Sequence, residues 1–109
     1  MSDRGDFSAA LALYREEVAE LLAGFEEAMV SLEEDPADAD LVDAAFRALH
    51  TIKGSGAMFE LTTLVGLSHA MESVFAAIRD RRVELSRPVV DASLRAKDLI
   101  PDLAKGEPP

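Results

Sequence analysis

Leu41-Val42-Asp43-Ala44-Ala45-Phe46-Arg47-Ala48-Leu49-His50-Thr51-Ile52-Lys53-Gly54-Ser55-Gly56-Ala57-Met58-Phe59 is the stretch on which the fold turns. Its apolar side chains return every three or four residues, at Leu41, Val42, Ala45, Phe46, Leu49 and Ile52. That interval belongs to one face of a helix, not to the two-residue alternation of a half-buried strand. The stretch therefore reads as an amphipathic helix that ends near Met58 or Phe59, with Asp38 or Asp40 available to cap its start.

The same interval recurs on both sides. Upstream, Phe7, Leu11, Tyr14, Val18, Leu21, Leu22, Phe25, Met29 and Leu32 describe one face of a long helix. Glu33-Glu34-Asp35-Pro36 stops it, because proline disfavours helical geometry in the residue before it and cannot continue the hydrogen-bond ladder. Downstream, Thr62 or Thr63 is the expected cap of a third helix with the stripe Leu64, Leu67, Met71, Val74, Phe75 and Ile78. Arg79, Arg81 and Arg82 follow where a helix C-terminus favours cations. Ser86-Arg87-Pro88 opens a fourth helix with Val89 or Val90, Leu94, Lys97 and Ile100 along its stripe, and Pro101 is expected to kink or end it. Met29, Met58 and Met71 fall on or near these stripes as core filler. Four amphipathic helices on short turns, with no strand pattern and no internal repeat, predict an all-α, antiparallel up-and-down four-helix bundle. Residues 1–105 form the expected domain, and Gly106-Glu107-Pro108-Pro109 reads as a linker or frayed tail.

Composition narrows the class of function. The 109 residues suffice for one small domain. Without cysteine there is neither a disulfide framework nor a thiolate metal site. A net charge of -10 disfavours nucleic acid and anionic membrane surfaces as partners. No run of ~18 apolar residues predicts membrane insertion, and Met1 to Ala10 carries no export signal, so the expected location is cytoplasmic.

At ~100° per residue, His50 lies roughly 120° from the centre of its helix's apolar stripe and so faces solvent. Lys53 stands beside it one turn on, and Gly54 lies almost directly beneath. Glycine inside a helix costs ~1 kcal/mol relative to alanine, yet Gly54 and Gly56 both interrupt this one. Close approach of a neighbouring helix is expected at Gly56, and of a partner or phosphate at Gly54. If the second and third helices are antiparallel about a turn near Glu60 and Leu61, Glu72 lies level with His50. A carboxylate accepting from Nδ1–H would fix the imidazole tautomer and leave the Nε2 lone pair free for attack on phosphorus. Histidine suits that role, since an ordinary pKa of ~6.5 leaves much of it neutral near pH 7. Lys53 would offset the charge of a transferred phosphoryl group. His69, roughly 160° from its own helix's apolar centre, is as well explained as a solvated residue.

His50-Thr51-Ile52-Lys53-Gly54-Ser55-Gly56, continued by Ala57-Met58-Phe59 and then Leu67-Ser68-His69-Ala70-Met71-Glu72, resembles the histidine phosphotransfer (HPt) family. Within it, the likeness is to the N-terminal P1 domain of the chemotaxis histidine kinase CheA, and it runs from about Phe46 to Ile100. The resemblance implies that His50 is phosphorylated at Nε2, that Glu72 orients its imidazole, and that Lys53, Gly54, Ser55, Gly56 and His69 surround the phosphoryl group or meet a partner. It implies a phosphoryl carrier in a two-component phosphorelay of the chemotaxis type. A histidine kinase ATP-binding domain would load His50, and a CheY-like response-regulator receiver would unload it. The chain would hold no cofactor, with ATP and Mg²⁺ belonging to those partner domains, and alone it is not a complete enzyme. Two departures stand out: Glu60 occupies a position where the family often has glycine, and such domains often add a fifth helix where this chain runs into Glu107-Pro108-Pro109, as a fragment of a larger kinase would. The competing readings are a metal-binding bundle using His50, His69 and Glu72, and a docking bundle without chemistry.

Overall fold

A computed structural model describes residues 3–106 of the chain, with side chains from residue 5 onward. The elements are α1 (Asp3–Glu34), α2 (Ala39–Met58), α3 (Thr62–Arg79), α4 (Arg87–Lys97) and a single turn of helix, α5 (Ile100–Leu103). The architecture is thus four helices with a short terminal turn, and among the described residues there is no strand. No helix among them is long and apolar enough to cross a membrane.

The helix ends have local causes. Asp38 is the N-cap of α2, its Oδ1 accepting from the backbone N–H of Asp40 and of Leu41 at 2.9 and 3.2 Å. At the other end Glu60 takes φ 58°, with its N–H donated to Ala57 and that of Leu61 to the Gly56 carbonyl. This is the paired arrangement that closes a helix through one left-handed residue. Arg81, at φ 63°, closes α3 in the same way, with Arg81 N–H on Ile78 and Arg82 N–H on Ala77. The expected threonine cap of α3 is not formed: Leu61 is its N-cap and no side chain caps it. Ser86 does precede α4, but its hydroxyl makes no cap bond. Pro101 sits in the first turn of α5, where its missing N–H costs nothing.

The stripes converge on one core. Val18, Phe25, Met29 and Leu32 of α1 meet Leu49 and Ile52 of α2, Leu64 and Phe75 of α3, and Ile100. Phe25 and Phe75 pack edge to face at 5.5 Å across its centre. Each such buried side chain contributes about 1.5–3 kcal/mol relative to leaving it in water. Three stripe expectations fail. Met58 is 82% exposed, a surface residue at the last turn of α2, and Val74 and Phe7 are also exposed. Phe7 nevertheless touches Phe59 edge to face, and Phe59 in turn stacks on Tyr14. Lys97 lies on the inward side of α4 as expected, its side chain 16% exposed and its ammonium paired with Glu26 and Asp98, and Ser93 is buried on the same helix. Ser68 is also fully buried, with an unpartnered hydroxyl. Gly106 ends the described chain at φ 71° beside Leu61 and Leu11, and Glu107–Pro109 of the expected tail lie outside the described residues.

Candidate functional site

His50 emerges from the outer side of α2, its side chain 62% exposed, because α2 turns Leu49 and Ile52 inward on either side of it. Across the seam, α3 carries Glu72 between Met71 and Phe75, on the margin of its buried stripe, and the carboxylate is only 8% exposed. His50 Nδ1 and Glu72 Oε2 are 2.5 Å apart. A carboxylate at that place selects the tautomer in which Nδ1–H donates. The second carboxylate oxygen, Oε1, accepts from Lys53 Nζ, also at 2.5 Å. His69 borders the same oxygen at 3.7 Å, with its side chain largely in solvent.

Burial pushes the Glu72 carboxyl up, but the hydrogen bonds from Lys53 and then His50, with their charges, more than reverse it, so it lies below its ordinary value. Glu72 is therefore an anion held in place by two donors from the facing helix. Among the described residues no hydrogen bond engages His50 Nε2, so the imidazole edge away from Glu72 is left open.

The two helical glycines separate. A Cβ on Gly54 would meet nothing within 4 Å, so the surface beneath His50 is bare. A Cβ on Gly56 would come within 2.6 Å of Leu64 Cδ2 and 2.9 Å of Tyr14 Oη. Gly56 thus faces the interior, as expected for a helix contact, and is buried against Leu64 and Tyr14 where Gly54 is exposed. Ser55 is half-buried and makes no hydrogen bond to the His50 cluster.

The family model described as Hpt domain matches residues 9–106. The chain belongs to the Hpt domain family. As an Hpt domain it is 40% identical over 93 residues to the chemotaxis protein CheA of Borreliella burgdorferi, covering 85% of this chain and 11% of that protein. It is 33% identical over 98 residues to CheA of Rhizobium meliloti, covering 90% of this chain and 13% of that protein. The Hpt domain thus spans only a small part of these relatives' length. Its fold matches the CheA phosphotransferase domain from Thermotoga maritima with a TM-score of 0.86 at 26% identity, covering 90% of this chain and 93% of that one. It also matches the phosphorylated P1 domain of CheA3 in complex with CheY6 from R. sphaeroides, with a TM-score of 0.79 at 27% identity over 88% of this chain and 75% of that one. The family match reaches well upstream of Phe46, so the first helix of this Hpt domain belongs to the likeness as well.

Sequence reasoning missed three neighbours of the site. Tyr14 Oη donates to the Ile52 carbonyl at 2.7 Å, tying α1 to the helical turn that carries His50 and Lys53. Phe46 stacks near-parallel to the His50 ring, and Arg79 lies over Phe46. The spacing of Phe46 four residues before His50 was a readable signal. For Tyr14 and Arg79 there was none, since each acts from another helix.

Proposed function

We propose that this Hpt domain is a phosphoryl carrier of a chemotaxis-type phosphorelay, with His50 the phosphoacceptor. The observation that carries the reading is the asymmetry of the imidazole: Nδ1 is tied to buried Glu72, while the other edge projects from the outside of α2. In that tautomer the Nε2 lone pair attacks the γ-phosphorus of ATP held by a histidine kinase domain, and the bond to ADP breaks. A receiver aspartate then attacks the same phosphorus, and the P–N bond breaks to return neutral imidazole. The kinase domain would supply ATP, and Mg²⁺ would come with the partners; the chain itself contributes position. Glu72 orients the ring, and Lys53, now drawn to Glu72, is near enough to offset phosphoryl charge. Bare Gly54 lets a partner close in, and His69 stands at the rim. The pairing of relatives is consistent with this, since one structural neighbour is a phosphorylated P1 domain bound to CheY6.

The same reading takes the helices as an antiparallel up-and-down bundle. Contacts of Phe7 with Phe59, Tyr14 with Ile52 and His50 with Glu72, on either side of the connecting turns, support that order. The metal-binding alternative is disfavoured by Lys53, whose ammonium occupies the carboxylate oxygen nearest His69, where a metal cation would be repelled. The test is to incubate the chain with an active histidine kinase ATP-binding domain and labelled ATP, beside His50→Gln. An acid-labile, alkali-stable label that is absent from the variant is expected. Label that persists in His50→Gln, or none on the native chain with a cognate kinase, would move the docking-bundle reading to the front.

A further inference from the structure

The hydrogen bond to Glu72 constrains only one atom of the His50 ring, and a ring held at Nδ1 can still tilt about that contact. A second neighbour bears on the tilt. Phe46, one turn earlier on α2, holds its ring centroid 6.0 Å from that of the imidazole with 12° between the planes, within the range of offset aromatic stacking. Phe46 is half-buried: one side packs against the core, which leaves the rest of its ring open. What lies over it is Arg79 of the last turn of α3, whose guanidinium carbon is 4.4 Å from the Phe46 centroid, a cation–π distance. Asp80 Oδ1 lies 3.7 Å from Arg79 Nε. Phe46 therefore touches both Arg79 and His50 at the seam between α2 and α3, while Glu72 holds the imidazole by its Nδ1 edge.

We propose that Arg79 is a positioning residue for phosphoryl transfer, clamping the Phe46 ring so that the stacked His50 imidazole keeps Nε2 aimed in one outward direction. This rests on His50 being the phosphoacceptor and adds a device to it. In-line attack on phosphorus requires the lone pair to point at the donor, and small errors of direction lower the rate without altering the nucleophile. Arg79 makes no hydrogen bond to His50 and works only through Phe46.

The experiment uses phosphoramidate as donor, so that no partner surface enters: the Nε2–P bond forms, the donor P–N bond breaks and ammonia leaves. Arg79→Gln should slow labelling of the chain about two- to fivefold, the range a cation–π contact of this exposure supports. Arg79→Lys, which keeps a cation, should recover most of the rate, and Arg82→Gln, which removes a like charge nearby, should match the native chain. Phe46→Leu should also be slow, and Phe46→Leu with Arg79→Gln should be no slower than Phe46→Leu alone, because residues acting through one contact are not additive. The His50 ring-proton NMR shifts give a readout independent of rate: they should lose the Phe46 ring-current contribution in Arg79→Gln and regain it in Arg79→Lys. Native rate and shifts in Arg79→Gln, or a slowing that persists in the Phe46→Leu background, overturns the proposal alone. Absence of label on the native chain overturns the phosphoacceptor reading and this one with it.

Discussion

Glu72 gives each of its oxygens to a different donor on α2, and that division makes it sensitive to acid. Its carboxyl lies below the ordinary value of 4.5 despite burial, because Lys53 and His50 favour the anion. Between the folded and ordinary values the unfolded chain binds the proton that the folded chain refuses, so stability rises with pH there. The contribution is complete above about pH 4.5 and is lost as the pH falls through the folded value. Melting temperatures measured from pH 7 to pH 3 should therefore fall more steeply for the native chain than for Glu72→Gln, and equal acid slopes would sink this account. On the proposed function Glu72→Gln should also slow phosphoryl acceptance, by about 10- to 100-fold if the carboxylate matters here as such partners do behind metal-bound histidines.

At the level of the helix, α2 contains two glycines that look alike in sequence and differ in consequence. Gly54→Ala adds a methyl to open space and removes a helix-interior glycine, so it should stabilise the chain by about 0.5–1 kcal/mol. Gly56→Ala drives a methyl against Leu64 and the Tyr14 hydroxyl and should lift Tyr14 from the Ile52 carbonyl, a net loss of about 1–2 kcal/mol. Denaturant titrations of the two variants should move in opposite directions; parallel shifts would mean that the close approach at Gly56 is not what it contributes. The periodicity of the stripes was enough to foresee four helices and the outward turn of His50, since both follow from ~3.6 residues per turn, whereas the level of Glu72 needed in addition the assumption of an antiparallel turn near Glu60 and Leu61. It misjudged Met58 and Val74, because a stripe drawn on one helix ignores where its neighbours end. It assigned caps to threonines, whereas α3 begins directly from the backbone turn through Glu60, a residue whose side chain gives no hint of a left-handed φ. Contacts such as Tyr14 to Ile52 and Arg79 to Phe46 join residues far apart in the chain, and single-helix patterns carry no record of them.

Across the whole molecule, cohesion is uneven. The α2 helix buries Val42, Ala45, Leu49, Ile52 and Gly56, whereas α4 buries Val90 and Ser93. The α4 helix is also tied to α1 by ion pairs at the surface: exposed Arg87 lies 3.2 Å from Glu33, and the mostly buried Lys97 reaches out to exposed Glu26. Such surface pairs contribute about 0–1 kcal/mol each and weaken in salt. Native-state hydrogen exchange should show α4 amides opening below the global unfolding free energy, and more so at high ionic strength, with α2 and α3 last to exchange. Uniform protection across the helices would contradict this. The candidate site stands on α2 and α3 with Tyr14 of α1 behind it, and takes nothing from α4, so on the proposed function opening of α4 should leave phosphorylation of His50 unchanged.

The bareness around Gly54 has a consequence for traffic. On the proposed function, His50 on the outside of α2, with bare Gly54 beneath it, offers a single berth that donor and acceptor must occupy by turns. Each arrival has to leave before the next can dock, so the speed of the relay is bounded by departures as much as by bond making. A mutation that made either partner stay longer would throttle the signal even as it improved binding.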